Sequence, residues 1–209
     1  MSTYWSEFAL VAVAHMIGVI SPGPDFALVF RQSIKHGRAT AIWSSIGIGT
    51  GILVHVSYSL FGLSLLIRES VLMFTVIKYA GAAYFVYVGF KAIRTPKRQS
   101  ETFRTDVMPP DKHGAFLSGF LVNVLNPKAG LFFIAVFSMI VSPNTPKEIR
   151  FAYGLWLTLS TMGWFSLVSV IFTHAPVRQF FIRFGHWFDR VMGVFFIVIA
   201  LRMATVTLN

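Results

Sequence analysis

The chain has 209 residues, and Lys+Arg 18 with Asp+Glu 8 amount to only 12% charged, against 55% hydrophobic and a mean hydropathy of +0.67. That leaves too little polar surface for a water-soluble body, so lipid is expected to cover most of the outside. The absence of cysteine excludes disulfide frameworks, thiolate nucleophiles, Fe–S clusters and Cys-ligated zinc. The net charge of +10 is carried in short connectors between apolar runs rather than on one soluble face, which argues against nucleic acid as a partner.

The apolar runs predict an all-α integral membrane protein with six transmembrane helices, near 5–30, 39–67, 71–93, 114–141, 151–174 and 187–207. Strand-like alternation is missing, so a β-barrel does not fit. The first six residues lack Lys and Arg and no A-x-A-type site follows, so no cleavable signal peptide is expected.

Span one is interrupted by Ser21-Pro22-Gly23-Pro24-Asp25. Two prolines remove backbone donors and Gly23 weakens the helix, so carbonyls lose partners at membrane depth, which is tolerated only inside protein or beside water. The helix should restart at Pro24, with free amides and the positive dipole end available to an anion. Asp25 is the only acid well inside a span, and a charge there costs about 2.5–3.5 kcal/mol, so it should face the interior. His15 in span one and His55 in span two are candidate proton relays, or else hydrogen-bond within the bundle. Gly47, Gly49 and Gly51 form a small-residue stripe suited to close helix packing. Lys78 in span three and Arg202 in span six are expected to snorkel from the outer ends of their helices.

A polar linker, 95–113, separates a first three-helix unit (1–94) from a second (114–209). Span four carries the second break, Asn126-Pro127-Lys128: Asn126 as N-cap, Pro127 as first helical residue, Lys128 as second. Lys128 is the counterpart of Asp25, and Asn123 one turn earlier lines the same cavity or satisfies freed backbone. A cation in a first turn opposes the helix dipole and should be there for another reason. Trp156 and Trp164 in span five line a pocket or face lipid and core.

Twelve basic residues fall in the connectors after spans one, three and five, and four in the connectors after spans two and four. The positive-inside rule then puts the former in the cytoplasm and both termini outside. Pro24-Asp25-Phe26-Ala27-Leu28 aligns with Pro127-Lys128-Ala129-Gly130-Leu131, and Lys78-Tyr79-Ala80-Gly81 with Arg190-Val191-Met192-Gly193, at corresponding places in the two halves. Three spans per half invert the second half relative to the first. A 3+3 inverted repeat with helices 1 and 4 broken is a secondary-transporter pattern, its site near the broken helices. A carboxylate and an ammonium at equivalent breaks suit a zwitterion such as an amino acid, or else form a static ion pair that fastens the halves.

The two breaks, the glycines at 47–51, the run Lys78-Tyr79-Ala80-Gly81-Ala82-Ala83-Tyr84 with Gly89 and Lys91, and the stretch Gly119 to Ala129 together resemble the LysE/RhtB family of bacterial amino-acid exporters. The last third, from Trp164-Phe165 to Trp187-Phe188-Asp189, is closer to the threonine and homoserine exporters of that family. The resemblance implies an inner-membrane carrier that exports amino acids, driven by the proton motive force. It makes Asp25 and Lys128 the natural functional positions; the breaks themselves add Gly23, Pro24, Asn123, Asn126 and Pro127 as candidate substrate contacts, and Asp25, His15 and His55 are the candidates for proton coupling. The expected partners are an amino acid, protons and the bilayer, with no cofactor and no resident metal. Small-residue stripes are compatible with a homodimer and equally with packing inside one chain. The rival reading is an exporter of divalent metal or another small solute, with Asp25, His15 and His55 as ligands; two imidazoles and one carboxylate beside a lysine make a poor cation site. An enzyme is not expected, since one buried acid cannot form a dyad and no Ser-His motif is present.

Overall fold

The computed structural model describes residues 2–69, 71–96, 110–142 and 144–205. Among them every regular element is a helix: α1 (Ser2–Ile20), α2 (Pro24–Lys35), α3 (Gly37–Glu69), α4 (Val71–Ile93), α5 (Lys112–Val124), α6 (Pro127–Met139), α7 (Lys147–Ile171) and α8 (Ala175–Thr205). Most of the expected linker, 97–109, lies outside the described residues, as do the side chains of Lys78 and Arg202.

Gly37–Ser59 of α3 and Lys147–Ile171 are each long and apolar enough to cross a bilayer. Two further spans arise if helices are joined across the breaks: Tyr4–Ile20 with Pro24–Lys35, and Lys112–Val124 with Pro127–Ile134. These pairs bend by 53° and 54° at their breaks. The outside carries the apolar side chains expected of a lipid-facing surface, among them Trp5, Leu72 and Leu125, each more than two-thirds exposed.

α4 and α8 stand where the third and sixth spans are expected, but α8 starts at Ala175 rather than near 187. Its first turns carry Arg178, Arg183 and Arg190 beside exposed Phe180, Phe184 and Trp187. Those charges lower local hydropathy without breaking the helical pattern, and Pro176 fits a first turn. The same helix carries a buried acid, Asp189, 4% exposed.

Packing follows the small residues. α3 lies against α5, where a Cβ on Gly47 would run into the Phe116 carbonyl and one on Gly119 into the Ser44 carbonyl. Ser44 Oγ donates to the Ala115 carbonyl across this seam at 3.0 Å. α4 and α8 also come close, though less so, since a Cβ on Gly89 would lie 2.7 Å from the Gly193 carbonyl and one on Gly193 2.6 Å from that of Gly89. α3 also packs on α7, joined by Ser45 Oγ and Ser169 Oγ at 3.0 Å. Two cores result: one around Val11, Phe85, Phe133, Leu157 and Phe196, the other around Phe26, Val29, Ile48 and Phe165.

Candidate functional site

The first break is built by its prolines. Ser21 N–H makes the last α1 bond, to the Ile17 carbonyl at 3.2 Å. Pro22 and Pro24 have no N–H, and Gly23 is fully extended with φ −170 and ψ −170. In an unbroken helix the carbonyls of Ser21 and Pro22 would accept from the amides of Asp25 and Phe26. Here they accept instead from Lys128 Nζ, at 2.8 Å and 3.3 Å. The start of α2 has no side-chain cap, so the amides of Asp25 and Phe26 are its open donors. Gly23 lets the lysine through, because a Cβ there would sit 3.2 Å from Nζ.

The second break is capped differently. Asn126 Oδ1 accepts from the Lys128 amide at 3.0 Å, as an N-cap does. Its Nδ2 donates to Asp25 Oδ2 at 3.2 Å, and Asn123 Nδ2 donates to the same oxygen at 3.0 Å. The charge of each break therefore binds polar groups of the other. Lys128 is 8% exposed and lies 5.0 Å from the Phe196 ring centre on α8.

Between the breaks lies one cavity. Its polar rim is Ser21, Gly23, Asp25, Asn123, Asn126 and Lys128; its remaining wall includes His15, Thr161, Ile52, Phe132, Phe133 and Phe165. Members of both cores thus enclose it. Four buried polar atoms of its lining residues have no hydrogen-bond partner in the protein: Asp25 Oδ1, Asn123 Oδ1, Ser21 Oγ and His15 Nδ1. Such atoms cost about 1–3 kcal/mol each when left unmet, so four of them in the lining of one cavity mark a place for a polar guest.

Of the expected site residues, Gly23, Asp25, Asn123, Asn126, Lys128 and His15 line this cavity. Pro24 and Pro127 are not among its lining residues; they open α2 and α6. His55 stands behind Asn123, with Nε2 3.0 Å from the Asn123 carbonyl and Nδ1 2.8 Å from the Tyr58 hydroxyl. Gly51 makes room for Asn123, whose Oδ1 would lie 2.7 Å from an added Cβ. Trp156 backs the His15 ring at 6.0 Å, and Trp164 packs on the second core.

Sequence reasoning missed Thr161, whose Oγ1 lies 3.0 Å from His15 Nε2, and Asp189. The spacing Asp189, Gly193, Phe196, Ala200 gives one buried helix face and could have found the latter. It also missed Glu7, which is buried and accepts from the Ser142 amide and the Thr145 hydroxyl at 3.0 and 2.9 Å. This ties α1 to the α6–α7 connection, away from the cavity.

Residues 16–207 match the LysE type translocator family. The threonine efflux proteins of Salmonella typhi and Escherichia coli (strain K12) are 31% and 30% identical to the chain over 191 residues, 90% of this chain and 93% of each relative. An uncharacterized membrane protein of Bacillus subtilis (strain 168) is 28% identical over 197 residues, with the same shares covered. No solved structure matches. The chain belongs to the LysE type translocator family.

Proposed function

We propose that this chain exports neutral polar amino acids of the threonine and homoserine type from the cytoplasm, by exchange for protons. The observation that carries the reading is one cavity lined by a carboxylate and an ammonium from the two helix breaks, with unmet polar atoms between them. The substrate ammonium sits at Asp25 Oδ1, helped by Asn123 Oδ1 and Ser21 Oγ. Its carboxylate sits at the uncapped start of α2, on the open amides of Asp25 and Phe26 and the remaining donor of Lys128 Nζ. This is the better anion end, because the start of α6 is already capped by Asn126. The names of the threonine efflux relatives favour the same substrate class.

The architecture that goes with it is six spans in the inner membrane, as units 1–94 and 114–209 related by an inverted repeat about the linker 95–113, with both termini outside. The near-equal bends of the two broken pairs and the pairing of α3 with α7 and α4 with α8, the equivalent helices of the two halves, support it. Rocking of the halves exposes the cavity to each side in turn. A proton arriving on Asp25 from outside removes the charge that holds the ammonium, releases the substrate, and is carried inward on the return. The metal-exporter reading has less behind it, as no group of three or more His, Cys, Asp or Glu comes together among the described residues.

The test is proton-driven uptake of threonine into liposomes holding the purified chain. Asp25→Asn keeps the hydrogen bonds of a polar side chain but cannot cycle a proton, and is expected to abolish pH-gradient-driven accumulation while the protein still inserts and melts as a folded species. Undiminished gradient-driven accumulation in that variant would sink the mechanism.

A further inference from the structure

Apart from its polar rim, the lining of the cavity is apolar except for one pair. His15, 1% exposed, stands on α1 among the rings of Phe132, Phe133 and Trp156, with centroids at 6.2, 6.0 and 6.0 Å. Thr161, equally buried on α7, holds its Nε2 at 3.0 Å. The Leu157 carbonyl approaches the ring, yet Nδ1 has no hydrogen-bond partner. An imidazole fixed at one nitrogen and unmet at the other, in an aromatic wall of a cavity it lines, is a single polar contact offered to whatever enters.

We propose that His15 and Thr161 form the side-chain pole of the binding site, with His15 Nδ1 hydrogen-bonding a hydroxyl on the substrate's side chain and Thr161 holding the ring in place. The inference rests on the amino-acid reading above and adds what selects the substrate. His15 lines the same cavity as Ser21 and Asp25 and stands six residues, under two helical turns, before Ser21, so a short amino acid held at the break has its side chain on the His15 side of one small cavity. Either tautomer of His15 serves, because a hydroxyl both donates and accepts. A cationic side chain finds no second carboxylate on this wall, whose other members are Gly18, Val19, Ile52 and phenylalanines.

A site that hydrogen-bonds a substrate hydroxyl rejects the isostere lacking it, because its own polar group is then left unmet. Threonine and valine are such a pair. In proteoliposomes of the wild-type chain, valine should compete with labelled threonine exchange at least tenfold more weakly than unlabelled threonine does. His15→Phe keeps ring volume without the nitrogen, and Thr161→Val is isosteric without the hydroxyl. Both should bring the threonine-to-valine ratio towards one, mainly through weaker threonine exchange, with valine exchange retained as proof of a folded carrier. Equal competition by valine and threonine in the wild type overturns the inference while leaving amino-acid export standing. So does an unchanged ratio in a variant that still exchanges either compound. Absence of exchange with any amino acid in a folded wild-type preparation overturns the export reading and the inference together.

Discussion

Lys128 occupies the first turn of α6, where a cation opposes the helix dipole, and its ammonium resolves that conflict at the other break. It donates to the Ser21 and Pro22 carbonyls that the prolines detach from the helix, so the lysine supplies the donors that membrane depth withholds. Asn126 joins the two functions: its oxygen caps α6, and its nitrogen steadies Asp25. Those roles can be separated. Asn126→Ser keeps an N-cap oxygen and should melt close to the wild type in detergent, yet lose most threonine exchange because Asp25 Oδ2 loses a donor. Asn126→Ala should in addition lose about 0.5–2 kcal/mol of stability with the cap. Equal melting temperatures for the two variants would contradict the cap. Asp25, Asn126 and Lys128 were legible in the sequence because proline, asparagine and charge at membrane depth each have few explanations. Their partners were not, since which carbonyl or oxygen a side chain meets across 100 residues leaves no local pattern. Thr161 was hidden for a related reason, as a lone threonine in an apolar run carries no signal until its neighbour on another helix is known.

At the scale of elements, glycine sets how near α3 and α5 come. Gly47 and Gly119 each face the other helix's backbone, and an added methyl on either has no room to move into. Gly47→Ala is therefore expected to separate the helices and lower the melting temperature or the folded yield sharply. Gly163, on α7, has nothing within 4 Å of an added Cβ, so Gly163→Ala should be neutral or gain up to about 1 kcal/mol from helix propensity. Melting both variants in the same detergent is the check, and a Gly47→Ala protein as stable as the wild type would contradict the seam. The stripe Gly47, Gly49, Gly51 was readable as a packing face from its composition. That Gly51 packs on Asn123, and so on the site, was not. α8 begins ahead of the expected sixth span because hydropathy finds what lies in lipid, whereas the helix continues through a charged stretch whose periodicity remains helical.

At the scale of the molecule, the two broken helices meet so that each supplies what the other lacks: carbonyls for an ammonium, amide donors for a carboxylate. In this state the charges are braced by the protein, which is what a carrier needs when its substrate is absent, since an unpaired charge at this depth is expensive. A zwitterion entering the cavity can take over both roles at once, and the unmet oxygens of Asp25, Asn123 and Ser21 are where it would do so. On the proposed reading the paired breaks bind an amino acid and are not merely a clasp between halves. Counterflow tests it most directly: liposomes holding the purified chain are loaded with unlabelled threonine, homoserine, leucine, lysine or arginine in turn, and entry of the matching labelled compound is followed. Exchange of threonine or homoserine, lost in Lys128→Ala, is the expected result. No exchange of any of the five by a folded preparation would contradict it and leave the two charges as a structural fastening.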